Sequence, residues 1–160
     1  MKSPNNHKFE CVFWVVVDIL GSILNEAKLD EVLSGADACF HLAGYGMTGG
    51  ASLDRVRTRQ INVDGTRLVL LTCARLCVPR LIYAGSISVV FRGEEMYNSD
   101  ESTPYAEMFE NPYAESKCLA EKDVLATNTL SNIVSTCVLR FRGIYGPGEL
   151  RTTQRTVVSC

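Results

Sequence analysis

Four short apolar runs separated by helix-forming stretches constrain this chain most. The runs are Val12–Val17, Ala38–Ala43, Arg80–Ala84 and Val134–Phe141. Val12–Val17 is continuous and rich in β-branched residues, the composition of a strand covered on both faces. Between the runs, Asn25–Leu33 reads as an amphipathic helix with Leu29, Val32 and Leu33 on one side, ended near Gly35. Leu53–Leu76 reads as a longer, largely helical segment with Ile61, Leu68, Leu71 and Ala74 at helical period, stopped by Val78 and Pro79. Pro112 suits the first turn of a third helix, Tyr113–Thr127. The order β-α-β-α-β-α-β, with a helix in every connection, predicts an α/β fold with a doubly wound parallel sheet and right-handed crossovers. Ligands of such sheets bind beyond the carboxyl ends of the strands. Asp18, Ala43, Ser86 and the start of the Tyr113 helix all fall on that rim.

A length of 160 residues suits one domain. Residues 1–10 are a polar lead-in, 11–150 carry the domain and 151–160 form a tail. The balance of 16 Lys+Arg against 18 Asp+Glu contains no basic block, so no electrostatic basis exists for binding nucleic acid. A small molecule is the expected partner. Seven cysteines, odd in number and mostly within apolar runs, indicate a reducing, cytoplasmic setting. No C-x-x-C pair occurs, and His7 and His41 offer no zinc-like spacing around Cys73 and Cys77, so no metal is expected. The run Cys11–Leu24 carries Asp18 and is short of the roughly 20 apolar residues that a membrane-spanning helix needs.

Tyr113 and Lys117 are four residues apart, hence on one face of their helix. A phenol of ordinary pKa about 10 becomes a useful proton shuttle only if a nearby cation stabilises its phenolate, and Lys117 is placed to do so. Ser86, about 27 residues upstream at a strand end, supplies a hydroxyl to the same rim. Taken singly, each has a plainer explanation: a packed aromatic, a solvated helix charge, a turn residue. Together and in order they describe carbonyl/alcohol redox chemistry. His41, in a buried strand without a partner nearby in sequence, reads as a hydrogen-bonded core histidine. Gly44-Tyr-Gly46-Met-Thr-Gly49 matches G-x-G-x-x-G. It follows a complete strand-helix unit, however, and no acidic strand end stands about 20 residues on, so it reads as a loop beside a cofactor. The polar, acidic stretch 93–111 is long enough to be functional or mobile.

In order, these residues resemble the extended short-chain dehydrogenase/reductase family, most closely its 3β-hydroxysteroid dehydrogenase/isomerase-like branch. The likeness rests on Val17-Asp18-Ile19, Gly35-Ala-Asp-Ala-Cys-Phe-His-Leu-Ala43, Asn62-Val-Asp-Gly-Thr66, Leu81-Ile-Tyr-Ala-Gly-Ser86, Tyr113-x-x-x-Lys117 and Leu139-Arg-Phe-Arg-Gly-Ile-Tyr-Gly-Pro-Gly148. It implies NAD or NADP as cofactor and a steroid-like substrate oxidised or reduced at a CH–OH group. Ser86 would hold the substrate oxygen, Tyr113 would be the general acid/base, and Lys117 would hold the nicotinamide ribose and favour the phenolate. Asp18 and Ile19 would contact adenine, while Leu42 and Ala43 would line the cofactor groove. Arg140 and Tyr145-Gly-Pro147 would flank the nicotinamide, and Asn62 would support the active-site backbone.

The family's opening strand, Gly-rich turn and helix, which cradle the pyrophosphate, have no counterpart here, and Phe141 stands where a proline is common. The expectation is therefore a partial Rossmann-like sheet lacking the first β-α-β unit, truncated at both ends, with weak or no cofactor binding. The resemblance leaves two alternatives open. One is a non-catalytic fragment that dimerises through the Asn62 and Tyr113 helices with a full-length relative, itself in solution or membrane-associated. The other is a sugar-nucleotide epimerase or dehydratase.

Overall fold

The computed structural model describes residues 16–47, 49–130, 133–144 and 146–147. The lead-in 1–10, most of the first apolar run, Tyr145, Gly148 and the tail 151–160 lie outside the described residues. Of that first run, Val16 and Val17 are described, and both are exposed and irregular rather than part of a strand.

Helix α1 spans Glu26–Leu33. The Asn25 carboxamide accepts the Lys28 N–H at 3.2 Å, satisfying one of the helix's open donors, and Gly35 follows the last turn at φ +72°. Leu29 and Leu33, four apart, are buried, whereas Val32 is turned outward. Strand β1 is only Cys39–His41, shorter than the apolar run, because the Leu42 N–H turns back onto the Phe40 carbonyl at 3.1 Å and leaves the ladder.

The stretch expected to be one long helix is segmented. A 3₁₀ turn over Gly49–Leu53 precedes α2 (Arg55–Thr58), a π-helical segment (Arg59–Gly65) and α3 (Thr66–Arg75). The wider π turns shift the phase of everything downstream. The buried face is therefore Val63, Val69, Leu70 and Cys73, while Leu71, expected inside, is 67% exposed. Cys77, at φ +58°, closes α3, and the Val78 N–H reaches back 2.8 Å to the Cys73 carbonyl. This left-handed cap ends the helix before Pro79 is reached.

Strand β2 (Arg80–Ser86) runs two residues further than the apolar pattern, since Gly85 and Ser86 still pair with Arg140 and Phe141. Helix α4 (Pro112–Leu130) starts at the proline, with the Asn111 side chain accepting the Ala114 N–H at 2.9 Å. Strand β3 is Ser135–Phe141. The sheet order is β1-β2-β3, all parallel, in agreement with the α/β expectation.

The core lies where α1, α3 and α4 pack on one face of the sheet, with Leu33, Val69, Leu81, Val124 and Val134 at its centre. On the other face Phe40, Leu139 and Phe141 are exposed, so the described sheet is covered on one side only. Salt bridges from Arg55 to Glu115 and from Arg67 to Asp123 (2.6 Å) fasten α2 and α3 to α4.

Candidate active site

Ser86 is the last residue of β2, and Tyr113 lies in the first turn of α4, which packs against that strand end. Burial pushes the Tyr113 phenol above its ordinary range, and the neighbouring Ser86 hydroxyl partly offsets this. The Ser86 hydroxyl also lies 2.8 Å from the Ser88 hydroxyl and accepts the Ser88 N–H, capping the 3₁₀ turn Ile87–Val89. Spacing alone has Lys117 lowering the Tyr113 phenol; the folded chain instead raises it, because desolvation is the larger influence.

Lys117 is 5% exposed. Its ammonium donates to the Ala84 carbonyl at 2.7 Å and sits 4.2 Å from the centre of the Tyr83 ring. Desolvation lowers its pKa to about 8, and the Glu121 carboxylate partly counteracts that fall. Lys117 thus stays charged near neutrality, one turn from the Tyr113 phenol.

Asn62, within the π-helical segment, is a buried joint. Its carboxamide oxygen accepts the Tyr45 N–H at 2.7 Å, and its amide donates to the Tyr45 carbonyl (2.8 Å) and the Ser116 hydroxyl (2.9 Å). Ser116 in turn donates to the Tyr113 carbonyl at 2.7 Å. The glycine loop after β1 is therefore tied to the first turn of α4 through one side chain. Within that loop Gly46 has φ +89° and is buried, and a Cβ there would meet Thr58 Cγ2 at 2.6 Å. Close loop packing against α2 explains this glycine.

His41 is a core residue. Its Nε2 lies 2.8 Å from the Thr66 hydroxyl, which already donates to the Asn62 carbonyl, so the histidine nitrogen is the donor. Burial, followed by repulsion from Lys117, lowers its pKa to about 4.

The remaining sequence candidates sit at the periphery. Asp18 and Ile19 lie in the irregular segment before α1, and Leu42 and Ala43 follow β1; all four are exposed. Arg140 does not point freely into the site. Its guanidinium donates to Glu121 Oε1 (2.9 and 2.8 Å) and lies 5.3 Å from the centre of the Tyr105 ring.

Glu121 is a site residue that no sequence motif above singles out. It is 1% exposed, and its Oε1 also accepts the Tyr105 hydroxyl at 3.0 Å. Its position four residues after Lys117 was the available signal.

Residues 3–159 match the model of the 3-beta hydroxysteroid dehydrogenase/isomerase family. The chain is 43% identical to the bovine short-chain dehydrogenase/reductase family 42E member 1 over 148 residues, 87% of this chain and 38% of that protein. It is 43% identical over 133 residues to 3beta-hydroxysteroid dehydrogenase/Delta(5)-Delta(4) isomerase 1 of Caenorhabditis elegans, 83% of this chain and 28% of that one. The chain therefore spans well under half the length of these relatives.

Among solved structures, a short-chain dehydrogenase/reductase superfamily protein from Agrobacterium tumefaciens with bound NAD superposes with a TM-score of 0.65 at 28% identity, covering 76% of this chain and 36% of that one. The Thermus thermophilus UDP-glucose 4-epimerase in complex with NAD shares the fold, with a TM-score of 0.74 at 19% identity over 87% of this chain and 45% of that one. With the matched span covering nearly every residue, and the strand order and helical crossovers in agreement, the chain belongs to the 3-beta hydroxysteroid dehydrogenase/isomerase family.

Proposed function

We propose that this chain carries the proton-transfer part of an NAD(P)-dependent oxidoreductase of the 3β-hydroxysteroid dehydrogenase type, acting on a CH–OH group of a steroid-like substrate. The observation that carries the reading is the Ser86 hydroxyl beside the Tyr113 phenol at the end of β2, with the buried Lys117 ammonium one turn further along α4. The local residues suit a nicotinamide nucleotide. Lys117 is a buried cation at the carboxyl end of the sheet, and the exposed backbone after β1 at Leu42 and Ala43 offers a groove edge. Asp18 and Ile19 would hold the adenine end, and Arg140 would flank the site through its strand.

When bound, the nicotinamide supplies or accepts hydride at its ring. The chain's own groups do the rest. Ser86 holds the substrate oxygen by hydrogen bonding. Tyr113, kept protonated by burial, donates its hydroxyl proton to that oxygen in reduction and takes it back in oxidation. Lys117 offsets the negative charge that Tyr113 then carries and donates to the ribose. Asn62 keeps the first turn of α4 in register with the glycine loop.

The test is nicotinamide fluorescence during titration of the purified chain with NADH and NADPH, followed by turnover with a panel of 3β-hydroxysteroids. The expected result is weak, saturable binding that Lys117→Met abolishes. Tyr113→Phe should leave that binding intact and cost turnover at least about a hundredfold. No binding at millimolar cofactor would exclude independent catalysis by this chain. Turnover of nucleotide sugars but not steroids would shift the reading to the epimerases, whose likeness to this chain is one of fold.

A further inference from the structure

Glu121 is a charged side chain, fully buried, with its two oxygens differently engaged. Oε1 is saturated by Arg140 and Tyr105, whereas Oε2 has no hydrogen-bond partner. That second oxygen is not directed at random. It lies 3.1 Å from the point where a Cβ on Gly85 would stand, so it faces the backbone of β2 at the residue next to Ala84, whose carbonyl receives the Lys117 ammonium. Glycine at position 85 leaves this space open. Glu121 and Lys117 are one helical turn apart on α4 and approach neighbouring residues of one strand.

We propose that Glu121 is a positioning residue for the site, its unpartnered oxygen serving as the counter-charge that keeps the Lys117 ammonium charged and directed at the end of β2. A buried, half-satisfied carboxylate is costly unless a cation lies within its field. Arg140 is one such cation and Lys117 the other. The remaining groups around Lys117 do not provide a negative charge. Tyr83 beneath it on β2 is neutral and held so by burial, Tyr113 on its own helix is likewise raised, and His41 on β1 is kept unprotonated partly by Lys117 itself. Tyr105 anchors Glu121 to the 93–111 stretch, so the carboxylate also links that stretch to the site.

The positioning role rests on the oxidoreductase reading, but its test needs neither cofactor nor substrate. The ¹⁵Nζ or ¹³Cε signal of Lys117, assigned with Lys117→Arg, is followed against pH in the intact chain. In Glu121→Gln the midpoint should fall by about one pH unit, the shift expected when an opposite charge is removed. Glu121→Asp, which keeps the charge, should leave the Lys117 midpoint near that of the parent chain. A midpoint unmoved in folded Glu121→Gln, or one that falls equally in Glu121→Asp, would overturn the proposal. Failure to bind nucleotide would overturn only the oxidoreductase reading.

Discussion

The Lys117 ammonium donates a 2.7 Å hydrogen bond to the carbonyl oxygen of Ala84, so a cation is held against a strand end with almost no access to water. Desolvation outweighs the stabilising field of Glu121, and the pKa settles near 8 instead of 10.5. Between those two values the unfolded chain holds a proton that the folded chain has lost. Stability from this group therefore rises as pH climbs from about 8 to 10.5, and below 8 the full cost is present. That cost is roughly 3 kcal/mol, partly offset by the hydrogen bond. Lys117→Met should flatten the rise in urea-unfolding stability above pH 8. A rise as steep as that of the parent chain would contradict this account.

His41 has the same sign in a different window. It is buried neutral with a pKa of about 4 against an ordinary 6.5, so the unfolded chain takes up a proton first as pH falls. Stability present above pH 6.5 is lost progressively down to about 4. His41→Gln keeps a donor for Thr66 without a titrating ring. Thermal unfolding of this variant should show a shallower loss of Tm between pH 6.5 and 4 than the parent chain.

Gly85 has no room for a side chain. A Cβ would stand 2.8 Å from Val138 Cγ1, 3.1 Å from Glu121 Oε2 and 3.2 Å from the Leu139 carbonyl. Two of these neighbours are a packed valine and backbone, which yield little. Gly85→Ala should cost about 1–3 kcal/mol in denaturant unfolding, the usual cost of overpacking a core. A variant as stable as the parent would show that β3 moves away from β2 more freely than the packing implies.

Asn62 makes three hydrogen bonds that no aliphatic side chain can replace. Asn62→Ala leaves the Tyr45 N–H and carbonyl unpaired in a half-buried loop, a loss of about 1–3 kcal/mol. Hydrogen exchange at the Tyr45 amide should accelerate more than at amides in the centre of β2. Uniform acceleration across both would assign Asn62 to global stability instead of to the loop.

Much of the fold was legible because its signals are local. The helix over 25–33, the proline opening α4, and the apolar runs at 38–43, 80–84 and 134–141, within or over which the three strands form, each follow from a few neighbouring residues. The face of α3 was not legible. Ile61, Leu68, Leu71 and Ala74 keep a helical period, yet the π-helical segment, which contains Ile61 and precedes the other three, changes the phase, and the buried set is Val69, Leu70 and Cys73 instead. Periodicity assumes uniform turns, and Arg59–Gly65 breaks that assumption. The end of β1 was misplaced for a similar reason, since Leu42 is as apolar as its neighbours but bonds within its own turn.

The sequence by itself determined the alternation of strands and helices and the order Ser86, Tyr113, Lys117, because both depend on residue type and spacing along the chain. Only the tertiary structure decided what those groups experience. Burial raises Tyr113 and lowers Lys117, Arg140 is engaged by Glu121, and Glu121 itself emerges as the charge beside the site. Desolvation and Coulomb fields depend on distances through space between residues far apart in the chain, which no local pattern encodes.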